Sequence, residues 1–325
     1  MNRDTSNAAR FKTRFDIINR ELTQVFNSRV PLVKDIGKHT LLGHGKRLRP
    51  LLFVLSCQLC GYEKEDVYKL STLFEYVHTA SLLHDDVLDN AEFRRQRPSA
   101  NQVWGNHAAV LEGDFLYSKA LTVGMRSNSI PFLTRLTEAT LRMTEGQIME
   151  FAHTRDWAIT RDQYMEIITA KTAALISAAC ACGAIVSGAT PAQEESLSQF
   201  GLYAGIAFQL IDDLLDYTSS EKVFGKPVGK DLREGKMTLP LIYTLSELDP
   251  DERTRVQALM AGSHATDDDY QAMIEQVRQN GALRRIRKEA RAYVDDAAAC
   301  LSSFPDCEAK RDLIELSRYI IERDN

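Results

Sequence analysis

Apolar residues recur every three or four positions along almost the whole chain, and little interrupts them. Leu70, Leu73, Phe74, Val77 and Ser81 form one such stripe; Ile167, Ile168, Thr172, Leu175 and Ile176 form another. The 325 residues include only 17 glycines and 9 prolines. An average protein carries roughly 12% of these breakers together, so this chain is poor in them. Three helix starts are marked by side chains placed to cap them: Thr160 with Gln163, Thr190 with Gln193 around Pro191, and Thr266 with Asp269. No run of alternating β-branched residues bounded by turn pairs competes with this pattern. The sequence therefore predicts an all-α fold, one bundle of about ten or more helices. No linker rich in Gly, Ser or Pro divides it, so residues 1–325 are expected to form a single domain.

Charge narrows the partners. A net charge of −5 leaves no basic excess to attract nucleic acid or anionic lipid, and no nucleic-acid partner is expected. The uncharged run from Thr172 to Gln193 is long enough to cross a bilayer. It is built of Ala, Ser, Cys and Gly and meets Gly188 and Pro191, which predicts a buried bundle helix instead. The N-terminal stretch is polar and has no apolar signal core. Cys57 and Cys60 lie in an apolar run without a second pair at zinc spacing, so they read as small core residues. Six scattered thiols point to the reducing cytoplasm.

Two segments carry chemistry. Asp85, Asp86 and Asp89 share their spacing with Asp212, Asp213 and Asp216, and both sets are flanked by Leu, Val or Ile. On a helix, positions i and i+4 share a face and i+1 lies beside it, so each motif offers three carboxylates to one region. Like charges at this spacing repel unless a cation sits among them. Oxygen-only donors suit Mg²⁺, or Mn²⁺, over Zn²⁺. Mg²⁺ held by few carboxylates completes its shell with water and substrate phosphates. Clustered bases fit a phosphorylated substrate: Lys46, Arg47 and Arg49 in a Gly/Pro loop, Arg94 and Arg95 after the first motif, and Lys226, Lys230 and Lys236 after the second. The two loops are expected to cover Gly43–Pro50 and Tyr217–Gly235.

With these segments in order, GHGKRLRP, EYVHTASLLHDDVLD, FRRQRP, GDFLY, the Lys171-Thr172 pair, FQLIDDLLDY and GKPVGKDLREGKMTLP, the chain resembles the trans-type polyprenyl diphosphate synthases. The resemblance implies an all-α bundle around a deep central cavity, usually as a homodimer. It implies that Asp85, Asp86, Asp89 and Asp212 bind Mg²⁺ at an allylic diphosphate (farnesyl or similar), with Asp213 and Asp216 assisting, partly through water. Arg94, Lys171, Thr172, Gln209 and Lys236 would contact that diphosphate, and Lys226 would close over it. Lys46, Arg49, His78 and Arg95 would hold isopentenyl diphosphate. Arg47 reads as solvated or structural, and His84 has no assigned role. The family usually has glycine where Gln96 stands, and His44 interrupts its glycine-rich loop; both departures bear on loop geometry.

Four and five residues before Asp85 stand Ser81 and Ala80, both small. In short-chain relatives a bulky aromatic at this level blocks the growing tail. A long-chain product is therefore expected, of the kind used in quinone side chains, which would partition to the membrane. The rival readings are a short-chain synthase, a terpene cyclase, a non-catalytic subunit of a heteromeric synthase and a purely structural helical protein. Cyclases usually lack the second aspartate motif, and non-catalytic subunits typically lose their aspartates; all six stand here.

Overall fold

The structure is a computed structural model, and it describes residues 3–42, 45–94, 96–218, 228–261 and 265–322. The chain forms two compact units. One comprises Met1–Glu138, Ala178–Ser198 and Phe304–Leu313; the other comprises Ala139–Ser177, Gln199–Ser303 and Ile314–Asn325. The all-α expectation holds: among the described residues the only strands are β1 (Phe93–Arg94) and β2 (Arg97–Pro98), a two-residue hairpin. Gln96 turns that hairpin with φ +64°, the left-handed conformation that glycine enters most easily.

The first unit is built on α1 (Arg3–Leu22), α2 (Pro31–Leu41), α3 (Leu48–Leu59), α4 (Asp66–Leu88), α5 (Ala100–Trp104) and α6 (Asn106–Gly124). Helix α3 starts earlier than expected, taking Arg49 and Pro50 into its first turn, where proline's missing N–H costs nothing. Phe53, Phe74 and Phe132 pack with ring centroids 5.3–6.5 Å apart in its core. Small residues bring helices close, as the sequence suggests. A Cβ on Gly183 would lie 2.7 Å from that of Ser56 on α3. Cys57 is fully buried there and its thiol is pushed up by burial, which keeps it inert.

Helix α7 (Ile130–Ala152) is followed by α8 (Arg161–Ile168), a π-turn (Thr169–Ala173) and α9 (Ala174–Val186). The stripe from Ile167 to Ile176 is buried throughout, but the π-turn interrupts the expected continuous α-helix. By length and composition the run Arg161–Val186 passes for a membrane span, yet 78% of its apolar window is buried inside the protein. Then come α10 (Pro191–Thr218), α11 (Lys230–Glu234), α12 (Leu239–Glu247), α13 (Pro250–Ala261), α14 (Asp267–Gln279), α15 (Ala282–Cys300) and α16 (Glu308–Ile321). Within the expected loop from Tyr217 to Gly235, α10 reaches Thr218 and α11 occupies Lys230–Glu234, so both ends are helical where a loop was expected. All three sequence-marked caps form, at Thr160, Thr190 and Thr266. The second unit's core gathers Ile168, Leu210, Ile211, Leu214, Leu239 and Ile274 around these helices.

Candidate active site

The first acidic motif closes α4. Asp85 and Asp86 occupy its last turn, and the Asp89 amide bonds the Asp85 carbonyl at 2.8 Å. A helix C-terminus is already electronegative, so three carboxylates there call for positive charge. Asp86 is only 3% exposed, while Asp85 and Asp89 are half-buried. The positive charge comes from Arg94 on β1, which donates Nε at 2.8 Å and Nη2 at 2.5 Å to Asp86 Oδ1. A cavity of about 50 Å³ beside this pair is lined by Thr79, Asp86, Arg94 and Ser99. His84 Nε2 lies 3.2 Å from the Val110 carbonyl, and its ring fills the space beside Gly113.

The second motif, on α10, repeats this division. Asp212 and Asp216 are half-buried and Asp213 is buried. Both Asp213 oxygens are engaged: Tyr164 donates its hydroxyl at 2.7 Å and Gln209 its amide at 2.6 Å. Thr172 in turn donates to Gln209 Oε1 at 2.8 Å, so Thr172, Gln209 and Asp213 form one chain of hydrogen bonds. Burial pushes the Asp213 carboxyl well above its ordinary range, and the nearby Asp231 and Asp212 charges add to this; the bonds from Tyr164 and Gln209 oppose it. Asp216 has a different task. Its carboxylate accepts the amides of Lys230 (3.2 Å) and Asp231 (3.1 Å), capping α11. Gly229 and Gly235, with φ +70° and +80°, bracket that helix.

The sequence-derived cations divide similarly. Lys171 lies in the π-turn and donates to Glu150 at 2.5 Å. The turn reaches this place because α10 offers Gly205: a Cβ there would sit 2.6 Å from the Ala173 Cα. Lys236 pairs with Glu234 at 2.8 Å, and Lys230 also reaches Glu234 at 2.8 Å. Those two lysines hold the Glu234 carboxyl below its usual value although burial works against them. Lys46 is exposed, Arg49 is buried on the first turn of α3, and His78 is half-buried on α4. Ala80 is 2% exposed; Ser81 is half-buried and bonds the His78 carbonyl at 2.8 Å. Arg95 and Lys226 lie outside the described residues.

Three participants escaped sequence reasoning: Glu150, Tyr164 and Glu234. Glu150 and Tyr164 belong to no acidic or basic cluster, and only folding brings them to Lys171 and Asp213. Glu234 stands two residues before Lys236, within the basic segment itself, and was passed over there. Among the described residues no three Asp, Glu, His or Cys side chains gather closely enough to hold an ion as they stand. The donors nevertheless fit a hard divalent cation: each motif presents half-buried carboxylates one helical turn apart, oxygen only, beside a buried carboxylate already held in place.

Residues 30–277 match the family model described as polyprenyl synthetase. The chain belongs to the polyprenyl synthetase family. It is 37% identical over 310 residues to the octaprenyl diphosphate synthase of Escherichia coli (strain K12), covering 94% of this chain and 95% of that one. It is 33% identical to heptaprenyl diphosphate synthase component 2 of Bacillus subtilis (strain 168), covering 95% and 87%. A polyprenyl synthase from Caulobacter crescentus CB15, solved complexed with calcium and isoprenyl diphosphate, superposes with a TM-score of 0.93 at 35% identity, covering 98% of this chain and 97% of that one.

Proposed function

We propose that this polyprenyl synthetase is a chain-elongating prenyltransferase, joining isopentenyl diphosphate to an allylic diphosphate to make a long-chain all-trans polyprenyl diphosphate. The observation that carries the reading is the duplicated acidic helix segment, with the same burial pattern at Asp85–Asp89 and at Asp212–Asp216 and with cations at hand in each unit. Family membership and the octaprenyl and heptaprenyl relatives support it. On this reading residues 1–325 serve one reaction as one catalytic domain.

Divalent metal ions, Mg²⁺ by the chemistry of the donors, would be held by Asp85, Asp86 and Asp89 on α4 and by Asp212 on α10, with Asp213 and Asp216 assisting. When bound they supply Lewis-acid neutralisation of a diphosphate. Arg94, Lys171 and Lys236 grip the allylic diphosphate and stabilise its charge as the C–O bond breaks. Thr172 and Gln209 orient it. Lys46, Arg49 and His78 hold the isopentenyl diphosphate so that its double bond meets the allylic cation. A carbon–carbon bond forms, and the proton lost from the adduct passes to the departed diphosphate. The small Ala80 and Ser81 leave room for the lengthening tail.

The enzyme acts as a homodimer in the cytoplasm, and its product partitions to the membrane. Supporting association, Leu141, Ile148 and Phe151 on α7 are 60%, 61% and 76% exposed, an apolar stripe at helical spacing. The test is a product assay with farnesyl diphosphate, excess labelled isopentenyl diphosphate and Mg²⁺, read by mass spectrometry with a chelator control. A metal-dependent long polyprenyl product is expected. A product ending at farnesyl or geranylgeranyl length would overturn the long-chain reading, and no product would overturn the catalytic one.

A further inference from the structure

Between Lys46 and Arg49 stands Arg47, a residue whose backbone and side chain are both unusual. Its φ of 46° and ψ of 35° are left-handed, a conformation that crowds the Cβ of any L residue. Its side chain does not face water: Arg47 is 4% exposed. The guanidinium donates Nη1 to Glu75 Oε1 at 2.8 Å, Nε to Asn19 Oδ1 at 3.0 Å and Nη2 to the Leu41 carbonyl. Glu75 itself is 3% exposed. Arg47 therefore ties α1, the end of α2 and α4 to the segment that leads into α3.

A buried ion pair is poor evidence for a stability role, because desolvation offsets most of its attraction. A strained backbone held by its surroundings is more often found where geometry matters for function. The neighbours of this pair point the same way. Arg47 directly follows Lys46 and precedes Arg49 by two residues. Glu75 lies three residues before His78 on α4, so the two share a face one turn apart.

We infer that Arg47 and Glu75 are a positioning pair for isopentenyl diphosphate, locking the segment that bears Lys46 and Arg49 in register with the helix that bears His78. The inference rests on the proposed assignment of those three residues to that substrate. Neither member of the pair touches it. The left-handed turn at Arg47 sends the backbone on either side in fixed directions, and the Nη1 bond to Glu75 holds that turn against α4. Without that bond, the two cation-bearing segments lose their common reference and the incoming diphosphate meets its partners out of place.

The experiment compares steady-state kinetics of wild type, Glu75→Gln and the apolar double variant Arg47→Met/Glu75→Leu, varying each substrate in turn, alongside thermal unfolding. Glu75→Gln is expected to raise KM for isopentenyl diphosphate about tenfold while KM for farnesyl diphosphate stays within about twofold. It also leaves a buried guanidinium uncompensated, so its Tm falls. The double variant removes that penalty and is expected to recover Tm but not KM for isopentenyl diphosphate. Recovery of both, or an equal rise in both KM values, overturns the inference and leaves the pair merely structural. If the double variant does not fold, the KM split in Glu75→Gln decides alone. A wild-type protein that elongates nothing overturns the functional reading itself, and this inference with it.

Discussion

Gly146 on α7 lies against the backbone of Lys171: a Cβ built on the glycine would stand 2.5 Å from the Lys171 nitrogen and 2.9 Å from its Cα. Those are main-chain atoms, so no rotamer change makes room. Four residues along the same helix, Glu150 holds the Lys171 ammonium. One face of α7 thus admits the π-turn and then fastens its side chain. Gly146→Ala is expected to displace the turn, cost about 1–3 kcal/mol of stability and lower kcat about tenfold or more. Unfolding curves and initial rates check both. A loss of stability with kcat intact would show that the close approach serves packing alone.

The buried and the half-buried aspartates of the second motif should separate in their effects. Asp212→Asn is expected to lower kcat about a hundredfold or more with little change in Tm, because it removes the charge of a half-buried carboxylate while keeping its shape. Tyr164→Phe strips a donor from Asp213 and is expected to cost about 1–3 kcal/mol of stability. Metal titrations of activity in both variants make the comparison: Asp212→Asn should need far more metal for half-maximal rate, Tyr164→Phe little more. The reverse ranking would assign the metal to Asp213.

Product length provides a third check. Ala80 is 2% exposed, so Ala80→Phe overpacks its site and should cost about 1–3 kcal/mol. Ser81 is half-buried and tolerates the larger ring better. Both variants are expected to release shorter prenyl chains than wild type, measured by mass spectrometry of the dephosphorylated products. Unchanged length in both would remove α4 from the control of elongation.

Glu112 on α6 sets a pH dependence. It is 3% exposed, its Oε1 has no hydrogen-bond partner, and burial pushes its carboxyl from 4.5 up to about 8. The folded state therefore binds this proton more tightly than the unfolded chain. Its contribution to stability is fully present below pH 4.5 and is lost as pH rises to about 8. Wild type should lose stability over that window, and Glu112→Gln should lose less, ending more stable by about 1 kcal/mol or more at the alkaline end. Parallel slopes of Tm against pH in the two proteins would contradict this.

What the sequence made legible follows from what is local. Helical periodicity, capping pairs and the spacing of the aspartates act over one to four residues, and α8, α10 and α14 begin where Thr160, Thr190 and Thr266 indicate. The expected cations Arg94, Lys171 and Lys236 lie beside carboxylates. The partners themselves were not legible, since Glu150 is 21 residues from Lys171 and Tyr164 is 49 from Asp213. Nor was the π-turn, because one extra residue in a turn leaves the apolar stripe around it nearly unchanged. For Arg47 the sequence left solvated and structural readings open, because nothing in its own neighbourhood announces Glu75, 28 residues on; the structure shows the structural one.

Arg94 and Asp86 hold each other, and that has a thermodynamic consequence. An anion that draws the guanidinium away strips a nearly buried carboxylate of its counter-charge, and a cation that takes the carboxylate strips the guanidinium of its own. Each event removes a competitor of the other. Anion and cation must then strengthen one another's binding by the same factor, whichever arrives first. An enzyme built this way holds either ligand weakly alone and both firmly together, so neither is retained without the other.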